Sequence, residues 1–239
     1  MHGLIKMQSH QIQMDKGLSK YRRSKMNDLP DRFPRGWFVL GHQRDFPVGE
    51  VNTIYGFDRK IQVERLEDRT IRLDLGDDEA WPVLEINQMV MIWHDIEKKE
   101  PDFIPNKIKE CYSDEWSDYG MASFLVKNNC RELIDNMADK GHFGPVHQAP
   151  FEGFWNEAKD HTYTQEMTAD SPILGRDLFS QATYEGPAYM TTYMSAVHDG
   201  HKVESRLAVT HIPLTLTSFQ INFGVMVKKV PGMSAEDEA

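Results

Sequence analysis

A chain of 239 residues can bury a substantial core, about 70% of its unfolded surface, and 40% hydrophobic with 10% aromatic content excludes disorder as its main state. A formal net charge of −10 excludes a protein built to neutralise nucleic-acid phosphates and disfavours docking on anionic membranes. Two cysteines, Cys111 and Cys130, cannot form a disulfide framework and predict a reducing, cytoplasmic setting, and no run reaches the roughly 18 apolar residues of a membrane span.

Residues 1–28 read as a polar, mildly basic leader without a secretory apolar core, expected to be poorly ordered. Order is expected from residue 29. A glycine-bounded strand at 36–41 (GWFVLG) is followed by strands at 51–57, 60–66 and 70–75, and by a pair within 83–95 that turns at Ile86-Asn87-Gln88. The segment 29–100 is therefore a small all-β region. Pro101 and Pro105 lead into a second region, 101–232. There a helix is predicted over 130–142, with Asn129 as N-cap, Glu132 completing a capping box, and Leu133, Ile134, Met137 and Ala138 as its apolar stripe. Gly141, Gly144 and Pro145 should end it. From Thr162 the pattern turns to period two. Segments 188–198 and 202–210 meet across Asp199-Gly200, a hairpin signal. Residues 219–227 place Phe219, Ile221, Phe223, Val225 and Val227 on one face. An acidic tail, 233–239, ends the chain. The fold class expected is α+β: a small β region, then an α+β domain with an antiparallel sheet.

Chemistry concentrates in Asn136-x-x-Asp139-x-x-His142-Phe143-x-x-x-His147. On a helix Asn136, Asp139 and His142 would share a face. A break at Gly144-Pro145 would fold His147 back beside His142. Two imidazoles and a carboxylate around one point suit Fe(II) with open positions, and Asp139 could instead fix an imidazole tautomer. The bland alternative, a helix-end cap plus a surface loop histidine, stands beside this reading. His2, His10, His42, His94, His161, His198, His201 and His211 lack ligand spacing and are expected at surfaces or turns. The cysteines are expected to be ordinary buried thiols. A glycine-rich phosphate loop, a G-x-S-x-G elbow and an H-E-x-x-H pair are all absent from the sequence.

The pattern N-x-x-D-x-x-H-F-x-x-x-H resembles the mononuclear iron motif of Rieske-type non-haem iron oxygenases. PRGWFVLG from Pro34, WPVLE from Trp81, VMIWHD from Val90 and NCRELIDN from Asn129 are most similar, in order along 29–230, to oxygenase components of the 3-ketosteroid 9α-hydroxylase type. The resemblance implies that His142 and His147 are the histidine ligands of a catalytic iron. It implies that Asp139 is the aspartate bridging to a neighbouring subunit's cluster, and that Asn136 is a polar residue beside the iron. It also implies a helix-grip-like catalytic domain, O2-dependent hydroxylation of a steroid-like substrate, and a ferredoxin-type reductase or cluster-bearing oxygenase subunit as partner. The family is commonly trimeric.

Two departures qualify this. A Rieske cluster takes two cysteines and two histidines, which the family supplies as Cys-x-His and Cys-x-x-His. Neither pair occurs here, and 60–81 is too short for the missing loops, so no [2Fe–2S] cluster is expected in this chain. The family's third iron ligand lies on a helix after the last long strand. This sequence stops shortly after that strand, with Glu236, Asp237 and Glu238 as poor replacements and Asp170 and Asp177 as remote ones. Fe(II) should therefore be weakly held and turnover by the chain alone impaired. The readings that follow are an incomplete oxygenase subunit, a non-catalytic binder of a hydrophobic ligand or structural subunit, and a fragment of a longer gene product. An apolar pocket is expected from Phe143, Phe151, Phe154, Trp155, Tyr189, Met190, Tyr193 and Met194, each of which could equally be plain core.

Overall fold

The computed structural model describes residues 31–77, 79–147, 151–171, 175–198 and 200–229, without the side chains of 143, 147 and 151. The leader and the acidic tail expected from the sequence lie outside these residues. From Arg32 onward the chain forms one compact unit.

Antiparallel sheets dominate. Strand β1 (Gly36–His42) pairs with β6 (Met89–His94), which pairs with β5 (Val83–Ile86). A second three-stranded sheet joins β2 (Val51–Gly56), β3 (Arg59–Arg65) and β4 (Ile71–Asp74) in simple succession. The two tight turns of this region, Phe57-Asp58 and Asn87-Gln88, all have φ between 52° and 64°, the twist that a two-residue hairpin needs. Every residue of β6 is buried. Its unbroken apolar run MVMIWH follows from being covered on both sides. Phe38, Val90 and Ile92 pack with Phe57, Ile61 and Val63 of the β2–β4 sheet, while Trp37, Val39, Met89, Met91 and Trp93 pack with Tyr189, Ala208 and Met226 of the large sheet.

That large sheet has seven strands in the order β7-β13-β12-β11-β10-β9-β8. They are β7 (Gly120–Val126), β8 (Phe151–Lys159), β9 (Thr162–Ser171), β10 (Gly175–Glu185), β11 (Tyr189–His198), β12 (His201–Thr215) and β13 (Ser218–Val227). The β11–β12 hairpin closes where expected, with His198 opposite His201 and Gly200 at φ +81°; Asp199 lies outside the described residues. Strands β7 and β8 were not foreseen. The first carries no alternation to betray it, being exposed along most of its edge position.

One glycine fixes the joint between the small and large sheets. Gly36 has φ +148°, and a Cβ there would lie 2.3 Å from Pro187 Cδ. The proline ring is rigid and cannot yield. Gly36→Ala should therefore cost roughly 1–3 kcal/mol, read as a lowered urea midpoint with unchanged slope.

Candidate functional site

Helix α1 (Arg131–Ala138) lies over one face of the seven-stranded sheet. Its stripe is Cys130, Leu133, Ile134 and Met137, packed on Val209, Phe219 and Ile221 at one end and on Ala182 and Tyr184 at the other. Ala138, expected in the stripe, is exposed. The N-cap is Cys130, not Asn129, and its side chain makes no capping bond. Asn129 stands one residue earlier, where its Oδ1 accepts the Arg131 N–H at 3.0 Å and its Nδ2 donates to the Leu216 carbonyl at 2.7 Å. Its own N–H is taken by Asn128 Oδ1 rather than by Glu132, so the expected capping box does not form.

The helix ends earlier than its sequence pattern implied. Asp139 is extended, at φ −81° and ψ 91°, because its own Oδ1 accepts the Gly141 N–H at 2.9 Å. That N–H would otherwise have continued the helical ladder, and capture by a short carboxylate is the usual way such residues stop a helix. A single 3₁₀ turn, Lys140–His142, leads into the five-residue helix α2 (Phe143–His147). Pro145 thus sits in the first turn of α2, where its missing N–H is not needed, rather than at a break. Asn136, Asp139 and His142 consequently do not share one helical face.

Asn136 is exposed, and the Asp139 side chain is 60% exposed, whereas that of His142 is only 11% exposed. The imidazole is held by the main chain: His142 Nδ1 donates to the Asp139 carbonyl oxygen at 2.5 Å, with the Asp139 carboxylate farther off at 3.9 Å. A donated Nδ1–H selects the tautomer in which Nε2 carries the lone pair, as in metal-bound histidines. His142 therefore fits a ligand role. The backbone of His147 closes α2, and its side chain lies outside the description. Among the described residues no three His, Cys, Asp or Glu side chains gather as a metal site. Asp170 and Asp177 lie at the β9–β10 end, where Asp170 Oδ1 accepts the backbone N–H of Asp177 at 2.9 Å. The tail carboxylates Glu236, Asp237 and Glu238 lie outside the described residues.

The thiols do not fit an iron–sulfur cluster. Cys111 and Cys130 belong to different hydrophobic clusters. Burial pushes both thiols up, Cys130 to about 11, so neither is prepared as a thiolate ligand. The Cys111 Sγ instead donates to Tyr119 Oη at 3.6 Å.

The expected pocket does not assemble as one surface. Period-two alternation sends Met190, Met194 and Phe154 toward the helix-covered side, with Met190 beneath α1. Tyr189 and Tyr193 go to the opposite face, where Tyr189 Oη accepts from Asn87 and Tyr193 Oη donates to Glu204. Trp155 is exposed; Phe143 and Phe151 have no described side chain. Beneath α1 lie two polar residues that sequence reasoning passed over. Gln165 is 4% exposed and Tyr184 2%. The Tyr184 hydroxyl has no hydrogen-bond partner among the described residues, and burial holds its proton on. A signal existed for Gln165: it is a polar residue at an inward position between Tyr163 and Met167. Three histidines assigned to surfaces or turns are in fact buried, His42, His94 and His211. Aromatic neighbours surround two of them, His94 stacked on Phe57 at 4.5 Å and His211 beside Phe38 and Phe219, whereas the His42 ring is held by hydrogen bonds with Gln88 Oε1 and the Arg44 N–H, each 3.1 Å. His198 and His201 are exposed at the hairpin end, as expected.

No described helix is long and apolar enough to cross a membrane. The family model for the 3-ketosteroid 9α-hydroxylase C-terminal domain matches residues 92–239. A 3-ketosteroid-9-alpha-monooxygenase oxygenase component from Rhodococcus rhodochrous is 30% identical, covering 87% of this chain and 68% of the relative. Another, from Mycobacterium tuberculosis, is 28% identical, covering 87% and 69%. The first alignment is 267 positions long, yet 87% of 239 residues is about 208, so about 59 positions of the alignment lack a residue of this chain. In three dimensions, dicamba monooxygenase bound to dicamba matches with a TM-score of 0.64 at 14% identity, covering 80% of this chain and 77% of that one. A quaternary ammonium Rieske monooxygenase matches with a TM-score of 0.60 at 11% identity, covering 86% and 72%. These last two show the fold: α+β, of the Rieske-oxygenase kind. With the family match over 92–239 and the Rhodococcus relative, the chain belongs to the 3-ketosteroid 9α-hydroxylase oxygenase family of Rieske non-haem iron oxygenases.

Proposed function

We propose that this Rieske-oxygenase-like chain is an oxygenase-type subunit that is catalytically incomplete alone, binding a steroid-like substrate and holding Fe(II) weakly through His142 and His147. The observation that carries this reading is the His142 ring, mostly buried at the end of α1 and fixed through Nδ1 on the Asp139 carbonyl. The iron, when bound, would supply the site at which dioxygen is activated. The work of the protein is then positional. The α1 helix packs on the sheet face beneath it through Met190, Val209, Phe219, Ile221 and Tyr184, and this packing anchors the helix that leads into the Asp139–His142 turn. The 60% exposure of the Asp139 side chain, whose Oδ1 accepts the Gly141 N–H, supports a role in contact with a partner subunit rather than in ligation. The relatives are named as components of monooxygenases, so a reductase or cluster-bearing subunit is the partner we infer as electron source.

To test this, the chain is co-expressed with a cluster-bearing oxygenase component and its reductase, and 3-ketosteroid hydroxylation is measured with and without the chain. Activity that rises with the wild-type chain and not with a His142→Ala, His147→Ala double variant supports the reading. Equal activity with both rejects it. A second reading, a non-catalytic binder of hydrophobic ligands, draws on the absence of a three-ligand group among the described residues. Retained steroid affinity in metal-free protein, with no contribution to turnover, would select it.

A further inference from the structure

We propose that Gln165 is a positioning residue: from β9 it holds the end of α1, and so sets where the Asp139–His142 turn stands over the sheet. The inference rests on the reading of His142 as a metal ligand, which it deepens.

The carbonyls in the last turn of a helix lose their helical partners. The carbonyl of Met137 would have paired with the N–H of Gly141, but that N–H is taken by Asp139 Oδ1 at 2.9 Å. Met137 is 7% exposed and faces the sheet, so its carbonyl needs a donor from within the protein. Gln165 Nε2 provides it. Gln165 stands on the central part of β9, 4% exposed, with Tyr163 and Met167 two residues to either side on the same face. The bond therefore ties the helix end to a rigid strand just two residues before Asp139, whose carbonyl in turn holds the His142 ring at 2.5 Å. The chain of contacts runs from strand to helix end to main-chain oxygen to imidazole. Loss of a supporting contact of this type commonly weakens metal binding by about 10–100-fold.

The test uses the full chain and Co(II) as the probe. Gln165→Leu keeps the side-chain bulk and removes the donor. Gln165→Met keeps a similar length and has no N–H or O–H to donate, and it serves if the leucine variant fails to fold. Co(II) affinity is measured by titration, and amide hydrogen exchange is followed over 138–142 and over the β12–β13 ladder. Gln181→Leu is the control, because it removes a bond to Glu166 Oε1 (2.7 Å) on the opposite face of the sheet. The expected result is Co(II) binding weakened about tenfold or more, with exchange accelerated over 138–142 and unchanged in the β12–β13 ladder. The control should match the wild type in both. Unchanged exchange over 138–142, or acceleration spread evenly over the sheet, would overturn the proposal. If wild type and His142→Ala bind Co(II) equally, the ligand reading of His142 falls, and the exchange data still decide whether Gln165 fixes the turn.

Discussion

Replacing His142 and His147 together by alanine should lower the affinity for Co(II) or Fe(II) by at least about 100-fold, since loss of even an outer partner costs about 10–100-fold and these two are proposed as direct ligands. Anaerobic titration of the purified chain checks this, and an affinity equal to that of the wild type sinks the metal reading. The geometry adds a discriminating companion. The His142 ring is held by the Asp139 main-chain oxygen at 2.5 Å, while the carboxylate stands 3.9 Å away. The Asp139 Oδ1 that accepts the Gly141 N–H has an equivalent amide oxygen in asparagine. Asp139→Asn should therefore leave metal affinity within about threefold of wild type, a spread ordinary for an exposed polar change of a few tenths of a kcal/mol. If Asp139 serves the electron path instead, the same variant should lose turnover in the reconstituted system. Metal binding and turnover then respond to different residues of one motif.

Acidification should destabilise the protein through His211. The ring is fully buried between Phe38 and Phe219, and neither nitrogen has a hydrogen-bond partner among the described residues. Burial alone lowers its pKa from 6.5 to about 4. The unfolded chain thus takes up a proton below about pH 6.5 that the folded chain refuses until about pH 4. Stability due to this group is undiminished above pH 6.5, falls as pH drops through that window, and levels off below it. The loss approaches about 3 kcal/mol, from a shift of roughly two and a half units at about 1.4 kcal/mol each. Urea unfolding at pH 7 and pH 4.5 measures it. A His211→Leu variant should show a distinctly shallower pH dependence, and at pH 7 it should be no less stable, because an unpaired buried polar group is removed. Parallel curves for the two proteins would mean that the buried ring is not the sensing group. His94, also lowered by burial but bonded to the Pro34 carbonyl at 2.9 Å, contributes in the same direction.

Much of the architecture was legible because period and punctuation act locally. The run at 83–95 with its polar centre became β5, the Asn87-Gln88 turn and β6. The alternation in 219–227 became β13, with Phe219 and Ile221 under the helix. The start of α1 was legible to within one residue: Asn129 Oδ1 accepts the Arg131 N–H, but the N-cap itself is Cys130. The motif containing Asn136, Asp139, His142 and His147 was legible as chemistry, but its shape was not. Helical spacing placed three side chains on one face, while the Asp139 carboxylate, a competing local acceptor, ended the helix first.

The sequence by itself determined the family, the α+β class, the strand periods and the absence of cysteine–histidine pairs able to hold a cluster. These are properties of residue type and spacing, and they do not depend on which segments meet. Only the tertiary structure decided that Gln165 and Tyr184 are buried beneath α1, that His42, His94 and His211 are core residues, and that Gln165 reaches the Met137 carbonyl 28 residues away in the chain. The physical reason is common to all three. Burial and hydrogen-bond partnership of a polar side chain are set by what packs across from it, and in an antiparallel sheet that neighbour comes from a distant part of the sequence.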